Sequence, residues 1–326
     1  MRVKQWISLF LCVIILLPGC AASEEKKTER EIFAMDTIMN LTFYGENGEQ
    51  AMTAAVSEIQ QLEKTLSVAK ADSEISKINA AGGKKVTVSK ETYDLLSACI
   101  QYGNDTDGLF DISIYPLVKL WGFTTEYRVP DKAERDAVIK KIDYKKIELL
   151  SDYQVRIPSG MAIDLGAAAK GYLSQKIIDL CKEKKVISCI LSLGGNVQTI
   201  GMKPDDTEYT VGITDPSDGS SIYGTVKVKD KAVITSGIYQ RNFKKDGKLY
   251  HHIMDKRTGM PADNNLASVT VIAENGAMAD AYATALSVMG EEKAIAFQKK
   301  HPQIQIILIR KDGTFYQSEK AGMIKS

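Results

Sequence analysis

The stretch between residues 186 and 254 constrains the fold most, because it is strand-like over almost its whole length. Gly and Asp turns divide it into runs at 187–193, 208–214, 222–229, 231–235 and 248–254. Further strands are predicted at 32–44, 146–150, 154–157, 269–273 and 304–309. Apolar spacing and capping residues predict helices at 49–66, 90–103, 131–141, 166–184, 277–289 and 291–300. Because clean β-α-β alternation is absent, the sequence predicts an α+β fold, one domain over 32–326 with a mixed, largely antiparallel sheet and packed helices.

The first twenty residues have the pattern of an export signal. Arg2 and Lys4 precede an apolar run at 7–17, shorter than the ~20 residues of an ordinary membrane span. The run ends in Leu17-Pro18-Gly19-Cys20, which resembles a bacterial lipobox and implies a diacylglycerol on Cys20; the alternative is ordinary secretion with an incidental Cys. We therefore predict a signal peptide at 1–19, a lipidated Cys20 with a flexible polar tether at 20–31, and anchoring to the extracytoplasmic face of the cell membrane.

Composition excludes several classes of protein. The chain carries 42 Lys and Arg against 41 Asp and Glu, so its charge gives no reason to expect nucleic acid as a partner. Three His leave little room for a His-rich zinc site. Cys99, Cys181 and Cys189 have apolar neighbours and form no CxxC pair, so we expect small buried core residues.

A small-residue segment, Asp164-Leu165-Gly166-Ala167-Ala168-Ala169-Lys170-Gly171, opens the helix predicted at 166–184. Free N–H groups at a helix N-terminus favour phosphate, and Lys170 is placed to pair with one. The Gly spacing is not that of a P-loop, because Tyr172 stands where that motif has Lys. The alternative is a small-residue helix that packs tightly against a sheet.

Asp280 and Thr284 lie four residues apart on the helix predicted at 277–289, so they share a face. A carboxylate and a hydroxyl are hard oxygen ligands suited to Mg²⁺. The alternative is a surface Asp and a Thr bonded within its own helix.

Two histidines, His251 and His252, are adjacent on a predicted strand and point to opposite faces, so we expect one to face a ligand and the other to be exposed.

Taken in order, the motifs resemble the ApbE family of FAD:protein FMN transferases. The matching segments are Met35-Asp36-Thr37, residues 72–79, Asp107-Gly108-Leu109-Phe110-Asp111, residues 116–123, Asp164-Leu165-Gly166 with Lys170-Gly171-Tyr172, Gly194-Gly195-Asn196, Thr235-Ser236-Gly237 with Tyr239 and Arg241, residues 252–259, and Ala279-Asp280-Ala281 with Thr284. The resemblance implies an ApbE-like, T-fold-like domain. It also implies Mg²⁺-dependent transfer of FMN from FAD to a Ser or Thr hydroxyl of an acceptor protein, with release of AMP.

The resemblance also implies roles for individual residues. It assigns catalysis to Asp280 and His252. It assigns metal binding to Asp280, Thr284, the main chain of Ala167 and the position of Ala283, where many members have Asp. The FAD-contacting positions are Met35, Leu109, Phe110, Asp111, Asp164, Lys170 and Met254. The acceptor is expected to carry a motif like Asp-x-x-(Ser/Thr)-Gly-Ala-(Ser/Thr).

Two other functions stay open at this point. A Mg²⁺-dependent FAD pyrophosphatase would use water in place of the acceptor hydroxyl and release FMN and AMP. A lipid-anchored flavin-binding protein without chemistry would need no metal face at Asp280 and Thr284. The sequence cannot separate the first of these from the transferase, because the acceptor is another protein.

Overall fold

The structure, a computed structural model, describes residues 26–326. The predicted signal peptide and the lipidation site at Cys20 lie outside the described residues. The helices are α1 (Gly48–Leu66), α2 (Glu74–Ala80), α3 (Lys90–Asp105), α4 (Tyr115–Leu120), α5 (Lys132–Ile139), α6 (Ala169–Glu183), α7 (Gly276–Met289) and α8 (Glu291–Lys300). Within residues 26–326, no helix is long and apolar enough to cross a membrane.

One large antiparallel sheet organises the chain, with strands in the order β1-β2-β6-β7-β10-β15-β16-β17. Its strands are β1 (Lys27–Ala34), β2 (Thr37–Tyr44), β6 (Ser188–Leu193), β7 (Asn196–Ile200), β10 (Ala232–Gly237), β15 (Leu266–Ala273), β16 (Gln305–Arg310) and β17 (Phe315–Gln317).

Smaller sheets surround the large one. They are β3 (Val86–Thr87) with β4 (Glu148–Leu150) and β5 (Gln154–Arg156); β8 (Tyr209–Thr214) with β9 (Ile222–Val228) and β18 (Ile324–Lys325); β11 (Asn242–Lys245) with β12 (Lys248–His251); and β13 (Met254–Asp255) with β14 (Met260–Pro261).

The large sheet is covered on both faces at its centre. Ile234 and Val271 point to the side where α7 and α8 pack, whereas the adjacent Val233 and Ile272 point to the side covered by β8 and β9. Every residue of β15 is therefore buried. The α+β prediction with a largely antiparallel sheet and packed helices is confirmed.

Several local predictions need correction. The tether predicted at 20–31 extends too far, because residues 27–31 pair with β2 as part of strand β1. The single strand predicted at 32–44 is a hairpin, since Met35 and Asp36 both adopt positive φ and reverse the chain. The helix predicted from residue 166 begins at Ala169, after a turn.

The cysteine prediction is confirmed. Cys99, Cys181 and Cys189 are free thiols buried in the main core cluster. Burial raises the pKa of Cys99 and Cys189, so these thiols stay protonated and act as small apolar residues.

Candidate active site

The first turn of α6 lies directly against α7. The backbone N–H of Gly171 donates to Oδ2 of Asp280 at 2.9 Å, so a carboxylate from one helix caps the N-terminus of the other. A Cβ on residue 171 would lie 2.7 Å from the Cβ of Asp280, so only Gly permits this approach. The tight packing that the sequence offered as one alternative for this segment is therefore present, and it brings the Asp280 carboxylate to the start of α6.

One backbone oxygen at this helix end has no hydrogen-bond donor. Gly171 is the third residue of α6, so its N–H has no acceptor within the helix and bonds to Asp280 instead. Ala167 lies just before the helix, and within residues 26–326 no donor is hydrogen-bonded to its carbonyl. That oxygen is available at the same helix end as the Asp280 carboxylate.

Thr284 lies one turn after Asp280 on α7 and is partly exposed. Its hydroxyl is 3.3 Å from the hydroxyl of Ser236 on β10. A carboxylate, a hydroxyl and a free carbonyl fit a hard cation such as Mg²⁺, with water completing its coordination. No group of three or more His, Cys, Asp or Glu side chains in the described part of the chain offers a different metal site.

Ala283 does not fit the ligand role that the resemblance gave its position. Its methyl group packs in the core between α7 and the large sheet, and its carbonyl accepts a hydrogen bond from Ser287 Oγ at 2.8 Å. Because the residue has no side-chain oxygen and its carbonyl is occupied, we leave it out of the proposed ligand set.

Two cations stand near this helix end. Lys170 and Arg241 form no ion pair with any carboxylate of residues 26–326, and both influence the pKa of Asp164. Burial raises the pKa of Asp164, against the hydrogen bond from Gly166 and the charges of Arg241 and Lys170, which lower it. Unpaired cations beside a helix N-terminus form a favourable place for phosphate groups.

His252 lies at the edge of the same region. Its Nδ1 is 3.2 Å from the carbonyl oxygen of Arg241, and its backbone N–H donates to the same oxygen at 3.0 Å. Because a carbonyl can only accept, Nδ1 carries the proton and Nε2 keeps its lone pair. Burial, together with the charges of Arg241 and Lys170, lowers the pKa of His252 to about 4, so the ring is neutral at neutral pH.

His251 has a different role. Its ring is buried, and Nε2 lies 3.1 Å from the carbonyl oxygen of Ala262. Burial lowers its pKa to about 4 as well. The two rings do point to different surroundings, but the expectation that one would be exposed is wrong, since His251 belongs to the interior.

The residues predicted to contact FAD lie in several environments. Asp111 is buried and fully occupied: it accepts bonds from Ser113 and Tyr144, and Lys256 Nζ lies 2.6 Å from its Oδ2. Its carboxylate therefore organises the loop after α3. Phe110 and Met254 are buried in core clusters, while Met35 and Leu109 are partly exposed at cluster edges. Contact of any of them with FAD stays a prediction.

Sequence reasoning did not assign a site role to three residues that the structure brings to this region. Gly171 supplies the N–H that binds Asp280, Ser236 contacts Thr284, and Arg241 orients His252. All three fall within segments that matched the family pattern, but only tertiary packing reveals what their backbone or hydroxyl groups contact.

Comparison with known proteins supports the resemblance. The family model described as "ApbE family" matches residues 35–308. A protein named FAD:protein FMN transferase from Treponema pallidum (strain Nichols) is 32% identical, over 94% of this chain and 91% of its own length. A protein of the same name from Klebsiella pneumoniae (strain 342) is 36% identical, over 81% of this chain and 84% of its own.

Solved structures agree in fold. The crystal structure of the ApbE protein from Thermotoga maritima MSB8 matches with a TM-score of 0.85 and 31% identity, covering 90% of this chain and 97% of that one. The apo form of Pseudomonas stutzeri flavinyl transferase ApbE matches with a TM-score of 0.82 and 26% identity, covering 90% and 95%.

Proposed function

Because this chain belongs to the ApbE family, we propose that it is an FAD:protein FMN transferase that attaches FMN to a Ser or Thr hydroxyl of an acceptor protein. The relatives named for this activity align with most of the chain. The site around α6 and α7 offers oxygen ligands, cations and a neutral imidazole in one region. These are the groups that phosphoryl transfer needs for positioning and charge stabilisation.

The reaction balances without another reactant. The acceptor oxygen forms a bond to the phosphorus of the FMN half, and the bond from that phosphorus to the bridging oxygen of the pyrophosphate breaks. AMP leaves with the bridging oxygen. The hydroxyl proton passes to Nε2 of His252, which Arg241 holds in the required tautomer.

The pKa of His252 depends on whether bound phosphate groups offset the positive charges of Lys170 and Arg241. Burial first, and then the charges of Arg241 and Lys170, lower the pKa of His252 and make the imidazole a weak base. Phosphate groups bound beside these cations offset their charge, so the pKa of His252 rises towards the range in which a general base works well. Binding of FAD would thus prepare the base that the next step uses.

Mg²⁺ is proposed to be held by Asp280, Thr284 and the main-chain carbonyl of Ala167. The observation that carries this assignment is the hydrogen bond from Gly171 to Asp280, which brings the Asp280 carboxylate to the start of α6, where the Ala167 carbonyl has no donor among residues 26–326. When bound there, Mg²⁺ would neutralise charge that develops on the phosphate oxygens. Asp280 keeps Oδ1 for the ion while Oδ2 accepts the Gly171 N–H.

Hydrolysis of FAD is the second candidate, because water fits wherever an acceptor hydroxyl fits and His252 would serve either nucleophile. A flavin-binding protein without chemistry is disfavoured by the oriented imidazole and the free carbonyl, which binding alone does not require. The test is incubation with FAD, Mg²⁺ and a protein that carries the acceptor motif, followed by intact mass measurement. A covalent FMN adduct supports the transferase, whereas free FMN with AMP supports the hydrolase.

We also propose the location. The lipobox-like segment at Cys20 supports a lipid anchor on the extracytoplasmic face of the cell membrane, and the described chain begins its first strand at Lys27. A short link would hold the catalytic domain near the membrane surface, where membrane-bound acceptor proteins are accessible.

A further inference from the structure

A stack of aromatic rings runs from the protein interior to its surface beside His252. The ring of Tyr127 lies on that of Phe243, with centroids 4.9 Å apart and planes at 11°, and Phe243 stacks on Tyr250 at 5.4 Å. Tyr250 in turn contacts Trp121 at 5.3 Å. Trp121 is fully buried, whereas Tyr127 is 49% exposed. The outermost ring therefore presents an apolar surface to solvent.

This stack fixes the hairpin of β11 and β12 to the body of the protein. The hairpin is a two-stranded sheet, and an isolated pair of strands is marginally stable without side-chain packing. We call Tyr127 together with the exposed face of β11 and β12 the aromatic hairpin surface. Its rigid support means that it can bind a partner without first becoming ordered.

The charges on this surface are uneven. Lys244, Lys245 and Lys248 are exposed, and none of them forms an ion pair with a carboxylate in residues 26–326. Asp246 at the turn and Glu126 beside Tyr127 are its acidic groups, so cations predominate. A partner that matches the surface would carry acidic side chains next to apolar ones.

The base of the hairpin is continuous with the proposed catalytic region. Arg241 directly precedes β11, and His252 directly follows β12 and bonds to the Arg241 carbonyl. The ring of Phe123, which contacts both Tyr127 and Phe243, lies 6.5 Å from the imidazole of His252.

We propose that the aromatic hairpin surface docks the acceptor polypeptide, through acidic and apolar residues that flank the Ser or Thr to be modified. This inference rests on the proposed transferase function and adds where its protein substrate binds. Each strand of the hairpin has four residues and spans roughly 13 Å. An extended acceptor segment therefore covers it with about four residues beyond the modified hydroxyl.

Charge reversal tests the proposal without disturbing the stack. The double variant Lys244→Glu/Lys245→Glu alters exposed side chains, and Tyr127→Ser removes only the outermost ring. The matched control is Lys299→Glu/Lys300→Glu on α8, which reverses the same number of charges on another exposed element. Thermal melting of each variant confirms that the fold is kept.

The probe is a fluorescent synthetic peptide with the acceptor motif and flanking Asp and Glu residues, compared with the same peptide flanked by Gln. Binding is measured by polarisation in the presence of FAD, and FMN transfer is followed in parallel. We expect the Lys244/Lys245 variant and Tyr127→Ser to weaken binding of the acidic peptide about tenfold. FAD affinity and AMP release without peptide should match wild type, as should the control variant.

Equal peptide affinity in wild type, the hairpin variants and the control would overturn the docking site, even if transfer itself occurs. If the hairpin variants lose binding to vesicles of anionic phospholipid but not to the peptide, the surface contacts the membrane instead and the proposal is wrong. Peptide binding that depends on the hairpin with no FMN transfer in wild type would keep a peptide-docking site but contradict the transferase function on which its assignment to the acceptor rests.

Discussion

Replacing Asp280 by Asn separates two roles of this side chain, the observed hydrogen bond to Gly171 and the proposed binding of Mg²⁺. Asp280 accepts the Gly171 N–H at the start of α6, and its second oxygen is proposed to bind Mg²⁺. An Asn side chain keeps an oxygen for the Gly171 N–H but carries no negative charge. We therefore expect Asp280→Asn to unfold near the wild-type temperature in the absence of metal and to lose its response to Mg²⁺.

The Ala variant gives the contrasting result. Asp280→Ala leaves the buried N–H of Gly171 without a partner, which costs about 1–3 kcal/mol of unfolding free energy. The side chain is buried, so solvent offers little compensation. This variant should melt at a lower temperature even without metal, and a loss of activity in it alone would not prove a metal role.

Thermal unfolding with and without Mg²⁺ is the assay, supported by FMN transfer under the same conditions. At a Mg²⁺ concentration about one hundred times Kd, wild type should gain about 2.7 kcal/mol of unfolding free energy. Asp280→Asn should gain much less and should transfer little FMN. An Asn variant that retains the full Mg²⁺ stabilisation would refute the ligand assignment, and one that melts as low as Asp280→Ala would refute the separation of roles.

Three further predictions follow from the same region and from the N-terminal segment. Lys170→Ala should weaken FAD binding by about 1.5–3 kcal/mol with an unchanged melting temperature, because Lys170 has no ion-pair partner among residues 26–326. If a titration gave wild type and Lys170→Ala the same FAD affinity, Lys170 would have no role in binding FAD. The proposed general base is neutral His252, so activity should fall as pH drops through the pKa of this imidazole. The fall is expected near pH 4 for kcat/KM of FAD, and at a higher pH for kcat once bound phosphates offset Lys170 and Arg241. If kcat/KM and kcat both fell at the same pH above 6, this assignment of His252 would be contradicted. Cys20→Ser should shift the protein from the membrane fraction to the medium or leave an unprocessed precursor, and unchanged membrane retention and mature mass would disprove lipidation.

The regular elements of the fold could be predicted where a single periodicity dominates the sequence. The spacing of Ala51, Ala55, Ile59 and Leu62 predicted α1 to within a residue, because all four positions are buried on one face. The helix predicted at 90–103 is α3, which Ser89 caps by accepting the N–H of Thr92 with its hydroxyl. Local signals of this kind depend on few neighbours and survive tertiary packing.

Turns caused the main errors. The β1–β2 hairpin was missed because Met35 and Asp36 reverse the chain at positive φ, a conformation that Gly or Asn usually signals. In contrast, β11 was missed although Asp246-Gly247 is a strong hairpin signal, since residues 242–245 lack apolar alternation. The aromatic stack that holds this hairpin joins residues far apart in sequence and leaves no local pattern.

The side chains of the candidate site were predictable from local spacing, whereas the main chain of Ala167 entered only through the family resemblance and the backbone contacts not at all. Asp280 and Thr284 stood out because they share a helix face. Asp280 reaches the start of α6 through its hydrogen bond with Gly171, a contact between residues 109 positions apart. The tautomer of His252 likewise depends on Arg241 across the base of a hairpin.

The central claim is that this chain transfers FMN to a protein hydroxyl, and intact mass spectrometry of the acceptor tests it most directly. The acceptor carries the Asp-x-x-(Ser/Thr)-Gly-Ala-(Ser/Thr) motif and is incubated with FAD, Mg²⁺ and either wild type, His252→Ala or Asp280→Asn. The account predicts an adduct of one FMN less water with wild type, with AMP in equal amount, and almost none with either variant or without Mg²⁺. An unmodified acceptor beside accumulating free FMN and AMP would contradict it.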